Sequence, residues 1–71
     1  MNTFAGIKLG RKIKDLRRKR GITQEQLAEL VVTSYKYIQR IEGKNPPDIR
    51  LTTIIRLAKA LKVKPAELLK F

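Results

Sequence analysis

Two helix starts lie so close together in this chain that neither helix can stand alone. In Ile22-Thr23-Gln24-Glu25-Gln26-Leu27, Thr23 is a helix N-cap, Gln26 is its capping-box partner three residues on, and Ile22 and Leu27 form a hydrophobic staple. The helix that begins at Gln24 runs into the β-branched, polar break Val32-Thr33-Ser34, where Ser34 offers a second N-cap and a further helix spans Tyr35 to Glu42. Helices of about eight residues are shorter than the roughly 12 to 15 at which isolated helices become even marginal in water. Tertiary packing must therefore clamp the pair. The spacing predicts a buried stripe of Leu27, Ala28, Leu30 and Val31 on the first of them and of Ile38 and Ile41 on the second, with Ala28 as the small residue where the two axes approach.

The clamping elements are legible on both sides. Leu9, Ile13 and Leu16 form an apolar stripe on a helix of about 7 to 20 that stops at Gly21. Ile54, Leu57, Ala58 and Leu61 form another on a helix of about 50 to 62. Between them, Gly43 is placed to take the left-handed residue that commonly ends a helix, and Lys44 to Asp48 must be loop because Pro46 and Pro47 cannot continue one. Pro65 fits the first position of a short last helix carrying Leu68 and Leu69, with Glu67 in its first turn. There is no strand signal, repeat or low-complexity segment. The expected fold is all-α, a five-helix bundle forming one domain over residues 1–71, with its core in 7–70.

Composition narrows the chemistry. At 71 residues only roughly 60% of the unfolded surface can be buried, which favours short loops and helices, while 42% apolar residues is too many for a disordered tail. With no Cys and no His there is no disulfide scaffold, no thiolate zinc site and no proton shuttle near neutral pH, so neither metal nor cofactor is expected. The six carboxylates are scattered, no nucleophile–base pair is visible, and Gly6, Gly10, Gly21 and Gly43 match no phosphate-loop pattern, which argues against an enzyme. Seventeen Lys and Arg against six Asp and Glu give a net charge of +11, and so a polyanionic partner. No apolar run approaches the roughly 18 residues that span a bilayer, and Met1-Asn2-Thr3-Phe4 begins no signal peptide, so a cytoplasmic location is expected.

The segments LGRKIKDLRRKRGITQEQLAEL, SYKYIQRIEGKNPP and IIRLAKALKVKPAELL together resemble the lambda-repressor-like (Xre-family) helix-turn-helix domains over about residues 7 to 70. The resemblance implies a bundle whose third helix enters the DNA major groove, with residues about 24–42 as the helix-turn-helix, usually in a dimer on a pseudo-palindromic site. It also implies an ion pair between Arg17 and Glu42. Two features depart from the pattern. The turn position usually held by glycine is Val32, which either takes a strained positive φ or forces the turn to be rebuilt, and the loop after Glu42 is about one residue longer.

Tyr35, Lys36 and Gln39 fall on the helix face away from Ile38 and Ile41. Lys suits the guanine O6/N7 edge, Gln the adenine N6/N7 edge, and Tyr a thymine methyl or a phosphate; Arg40 joins them as a base or phosphate contact. Tyr37, beside Ile38 and Ile41, is expected in the partial core or at a phosphate. The phosphate set is Gln24, Ser34, Lys44, Asn45 and Arg50, with Gln24 aimed by the N-terminus of its helix. Ile55, Val63, Leu69 and Phe71 exceed what so small a core needs and are expected in a homodimer interface. The expected function is sequence-specific binding of double-stranded DNA to regulate transcription. The competing reading is a basic helical protein that binds RNA or ribosomes without sequence preference, which lacks interleaved exposed aromatics. A membrane-surface helix at 7 to 20 is disfavoured by its narrow apolar face and the absence of Trp.

Overall fold

Local hydrogen bonds make the helix starts. In the computed structural model, which describes residues 4–70, the Thr23 hydroxyl accepts from the Gln26 N–H at 3.0 Å and the Gln26 side-chain oxygen accepts from the Thr23 N–H at 2.8 Å. This completes the capping box of α2 (Gln24–Val31). Ser34 Oγ accepts from the Tyr37 N–H at 3.1 Å and starts α3 (Tyr35–Glu42). These are flanked by α1 (Phe4–Lys19), α4 (Leu51–Ala60) and α5 (Pro65–Leu68). Helix α1 begins at Phe4 rather than near residue 7, and α4 lies inside the expected 50–62, with Arg50 as an N-cap that makes no side-chain hydrogen bond. None of the described helices is long and apolar enough to cross a membrane.

Three helix ends close with the same pair of bonds. The N–H groups of Gly21 and Ile22 donate to the carbonyls of Arg18 and Arg17, those of Val32 and Thr33 to Glu29 and Ala28, and those of Lys62 and Val63 to Lys59 and Ala58. The geometry requires a left-handed residue, taken by Gly21 (φ 69°), Val32 (φ 62°) and Lys62 (φ 57°). The open question at Val32 is thereby answered, because α2 ends at the ordinary place and the β-branched residue bears the positive φ. That conformation costs an L-residue roughly 1–2 kcal/mol. Gly43 behaves differently from expectation, since it is extended (φ −91°, ψ −167°) and not left-handed. It is confined instead by space, because a Cβ there would lie 3.0 Å from the Gln39 carbonyl oxygen as the chain leaves α3 close against its last turn.

Helix α3 packs against α1 and α2, α4 packs against α2 and α5, and α5 returns to α1, where Lys12 Nζ and Glu67 Oε2 are 3.1 Å apart. Ile13, Leu27, Ile38, Ile41, Leu57, Leu61 and Leu68 are fully buried in a cluster to which every helix contributes. Leu30 does not belong to it, contrary to the expected stripe, and is 58% exposed. The buried arc of α2 is Leu27, Ala28 and Val31, and at roughly 100° per residue Leu30 falls about a third of a turn off its centre. Helix α1 lies tightly on α3 at Gly10, where an added Cβ would overlap the Ile41 carbonyl oxygen. Only a residue without a side chain lets α1 lie this tightly on the end of α3.

Candidate nucleic-acid interface

Burial of Ile38 and Ile41 turns the opposite face of α3 outward, so Tyr35, Lys36, Gln39 and Arg40 are all exposed on one short helix. Tyr37 is half-buried against the core. Gln39 Nε2 donates to the Tyr35 hydroxyl at 2.9 Å across one turn, so these two side chains form a unit, with amide and phenol dipoles fixed relative to each other. The first turn of α3 holds no acidic residue, which leaves the positive end of its helix dipole uncompensated by its own side chains.

The far end of α3 is held by a buried network. Glu42 Oε2 accepts from Arg17 Nε at 2.8 Å, and Oε1 accepts from Arg17 Nη2 at 3.0 Å, a two-pronged arrangement in which the two side chains are only 10% and 2% exposed. Arg17 Nη1 donates to the Ile22 carbonyl at 2.8 Å and so ties the end of α1 to the approach to α2. Gln24 completes the set, because its Nε2 donates to Glu42 Oε1 at 3.0 Å. The place of Gln24 at the start of α2 suggests a phosphate partner for its amide, whereas the buried carboxylate takes one of the amide hydrogens. With Gly10 against Ile41, this network makes the pose of α3 a consequence of α1 and α2 together.

Ser34 Oγ accepts the capping bond, which leaves its hydroxyl proton to donate elsewhere. Lys44 and Asn45 lie exposed in the loop after α3, and Arg50 is exposed at the start of α4. Lys44 shares a cleft of about 310 Å³ with Arg11 and Lys14 of α1, at the end of α3 beside Gly43. Those two α1 cations look in sequence like part of a solvated basic face, and only their position beside Gly10 hints that the helix crossing brings them to α3. Ile55 and Leu69 are 47% and 51% exposed, and Leu51, one turn before Ile55 on α4, is more exposed still. Val63 is instead half-buried against the core, and Phe71 lies outside the described residues.

The sequence matches the family profile described as helix-turn-helix over residues 13–68. Among solved structures, the restriction-modification controller protein C.AhdI from Aeromonas hydrophila is similar at 34% identity and a TM-score of 0.82, over 87% of this chain and 92% of that one. A hypothetical transcription factor, NHTF, from Neisseria is similar at 29% identity and a TM-score of 0.87, over 93% of this chain and 75% of that one. No curated protein matches.

Proposed function

This chain belongs to the helix-turn-helix family, of the lambda-repressor-like (Xre) kind, and we propose that it is a DNA-binding transcriptional regulator that reads duplex sequence with α3. The observation that carries the reading is the outward face of α3. Four hydrogen-bonding side chains, Tyr35, Lys36, Gln39 and Arg40, stand exposed on a helix whose pose is set by buried contacts at its other end. Lys36 and Gln39 contact base edges in this proposal, Tyr35 orients the Gln39 amide, and Arg40 contacts a base or a phosphate. The Ser34 hydroxyl, the second amide hydrogen of Gln24, and Lys44, Asn45 and Arg50 contact the phosphate backbone, joined by Arg11 and Lys14. The likeness to a restriction-modification controller and a transcription factor supports regulation of transcription as the outcome, with no catalytic step.

The regulator acts as a homodimer through Leu51, Ile55 and Leu69, whose exposed side chains on α4 and next to α5 suit a self-complementary patch. One protomer measures 27 × 24 × 21 Å, so two can sit side by side with their α3 helices about 34 Å apart, the separation of successive major grooves on one side of DNA.

Selection of bound duplexes from a random DNA pool tests the reading. The expected result is a consensus with two half-sites about one helical turn apart, on which Lys36→Ala and Gln39→Ala each cost about 1–3 kcal/mol and relax discrimination at one base pair per half-site. Log affinity should fall with log salt at a slope of roughly −5 to −9 for about 6 to 10 phosphate contacts. A pool without consensus, with Lys36→Ala and Gln39→Ala no worse than Lys62→Ala, would leave only non-specific binding to a polyanion, RNA included.

A further inference from the structure

We propose that the open groove bounded by α2, α4 and the end of α1 docks an acidic, amphipathic segment of a partner protein. The groove has a volume of about 710 Å³, and none of the α3 side chains assigned to DNA lines it. Its apolar surface is supplied by Leu30 and Val32, 58% and 83% exposed, with Ile22 and Ala60 half-buried beneath them. Four exposed cations surround that surface: Arg20, Arg56, Lys59 and Lys62. None of the chain's six carboxylates lines the groove.

A second, independent feature marks the same place. The two non-glycine residues with positive φ among the described residues are Val32 and Lys62, and both line this groove. The third helix end closed in the same way uses Gly21. Glycine at position 32 or 62 would relax the backbone but delete a side chain from the groove. Strain retained to hold a side chain in place is a mark of functional sites.

Charge and polarity together select the occupant. A second copy of this chain has only six scattered carboxylates to offer four cations, and the dimer proposed above uses residues that do not line this groove. Nucleic acid would satisfy the cations but has no apolar side chains to cover Leu30 and Val32. A helix or strand with apolar residues on one face and carboxylates along its edges satisfies both. Individual exposed ion pairs contribute little, so the cations act mainly by steering and orienting the acidic segment, while apolar burial holds it.

The test uses the full chain and a fluorescein-labelled peptide of about 16 residues, with Leu at helical i, i+3, i+4, i+7 spacing and Glu elsewhere. Its anisotropy titration is compared with a scrambled peptide of the same composition and with one in which Ser replaces Leu. Both controls should bind about tenfold more weakly or worse. Arg56→Glu with Lys59→Glu should weaken binding by about tenfold, whereas Lys8→Glu with Lys64→Glu, an equal change of charge elsewhere, should alter it by less than about threefold. Val32→Gly should melt at a higher temperature and yet bind the peptide less well, an opposition that a purely structural role for Val32 does not produce. On the unmodified protein, amide shift changes during titration should cluster at residues 30–33 and 56–62. Equal binding of the scrambled peptide, equal losses in the two charge-reversed proteins, unaltered binding by Val32→Gly, or shifts centred on α3 would each overturn the proposal.

Discussion

Glu42→Ala removes the acceptor of three hydrogen bonds at once: those from Arg17 Nε at 2.8 Å, Arg17 Nη2 at 3.0 Å and Gln24 Nε2 at 3.0 Å. The guanidinium left behind is only 10% exposed and keeps the Ile22 carbonyl as its partner, so a charge remains in the protein without its counterion. Breaking a buried pair from one side costs about 3–5 kcal/mol, mostly because of that uncompensated charge. A 71-residue chain has a total stability of about 4–10 kcal/mol, so the variant should lose about a third of it or more. Arg17→Met combined with Glu42→Leu removes both charges and should recover most of the loss, short by about 1 kcal/mol for the Ile22 carbonyl that loses its donor. Glu25→Ala, on the exposed side of the first turn of α2, should cost less than about 1 kcal/mol. Urea melts followed by far-ultraviolet circular dichroism give all three values. If Glu42→Ala and Glu25→Ala lose equally little, or if the double variant is no better than Glu42→Ala, the network does not hold α3 in place.

Gly10→Ala should destabilise by about 3 kcal/mol in the same melts, because the obstruction is the Ile41 backbone carbonyl, which no rotamer change can relieve. Val32→Gly and Gly21→Ala should shift the melting temperature in opposite directions. The first relieves left-handed strain for a net gain of about 0.5–1 kcal/mol, and the second introduces it for a loss of about 1 kcal/mol, with no atom within 4 Å to add a clash. Glu67 is held below the usual carboxylate range by its hydrogen bond to Lys12, then by the charges of Lys12 and Lys70. Its folded pKa is depressed, so the stability it contributes is present above the unfolded value of about 4.3 and is lost as pH falls through the lower folded value. Glu67→Gln should flatten that part of the melting-temperature profile and loosen α5 from α1 at neutral pH.

Helix caps and stops formed within one turn are legible in the sequence, the end of α3 at Gly43 excepted. The Thr23–Gln26 box and the Ser34 cap join a side chain to backbone within one turn, and Gly21 and Pro65 act through the conformations their own backbones allow, so adjacent residues state all four. The periodic stripes on α1, α3 and α4 were equally plain, because helical geometry alone puts Ile13, Ile38, Ile41 and Leu57 on inward faces. The exposed face of α3 then follows as the complement of its buried one.

What required the tertiary structure was every feature that depends on how closely two helices approach. Gly10 is an ordinary helical glycine in sequence and becomes indispensable only because the Ile41 carbonyl occupies the space of its missing Cβ. Leu30 looks like core by spacing, but α4 is placed so that Val31 is buried and Leu30 faces an open groove. Gln24 sits at a helix start that suggests a phosphate, and a carboxylate eighteen positions away captures its amide. Arg11 and Lys14 meet Lys44 only across the α1–α3 contact. The chain by itself determined which helices exist and which face of each is apolar, since those are one-turn properties; the partners of Gly10, Gln24, Leu30 and Arg11 were decided by packing, because each lies on a different helix or beyond a turn.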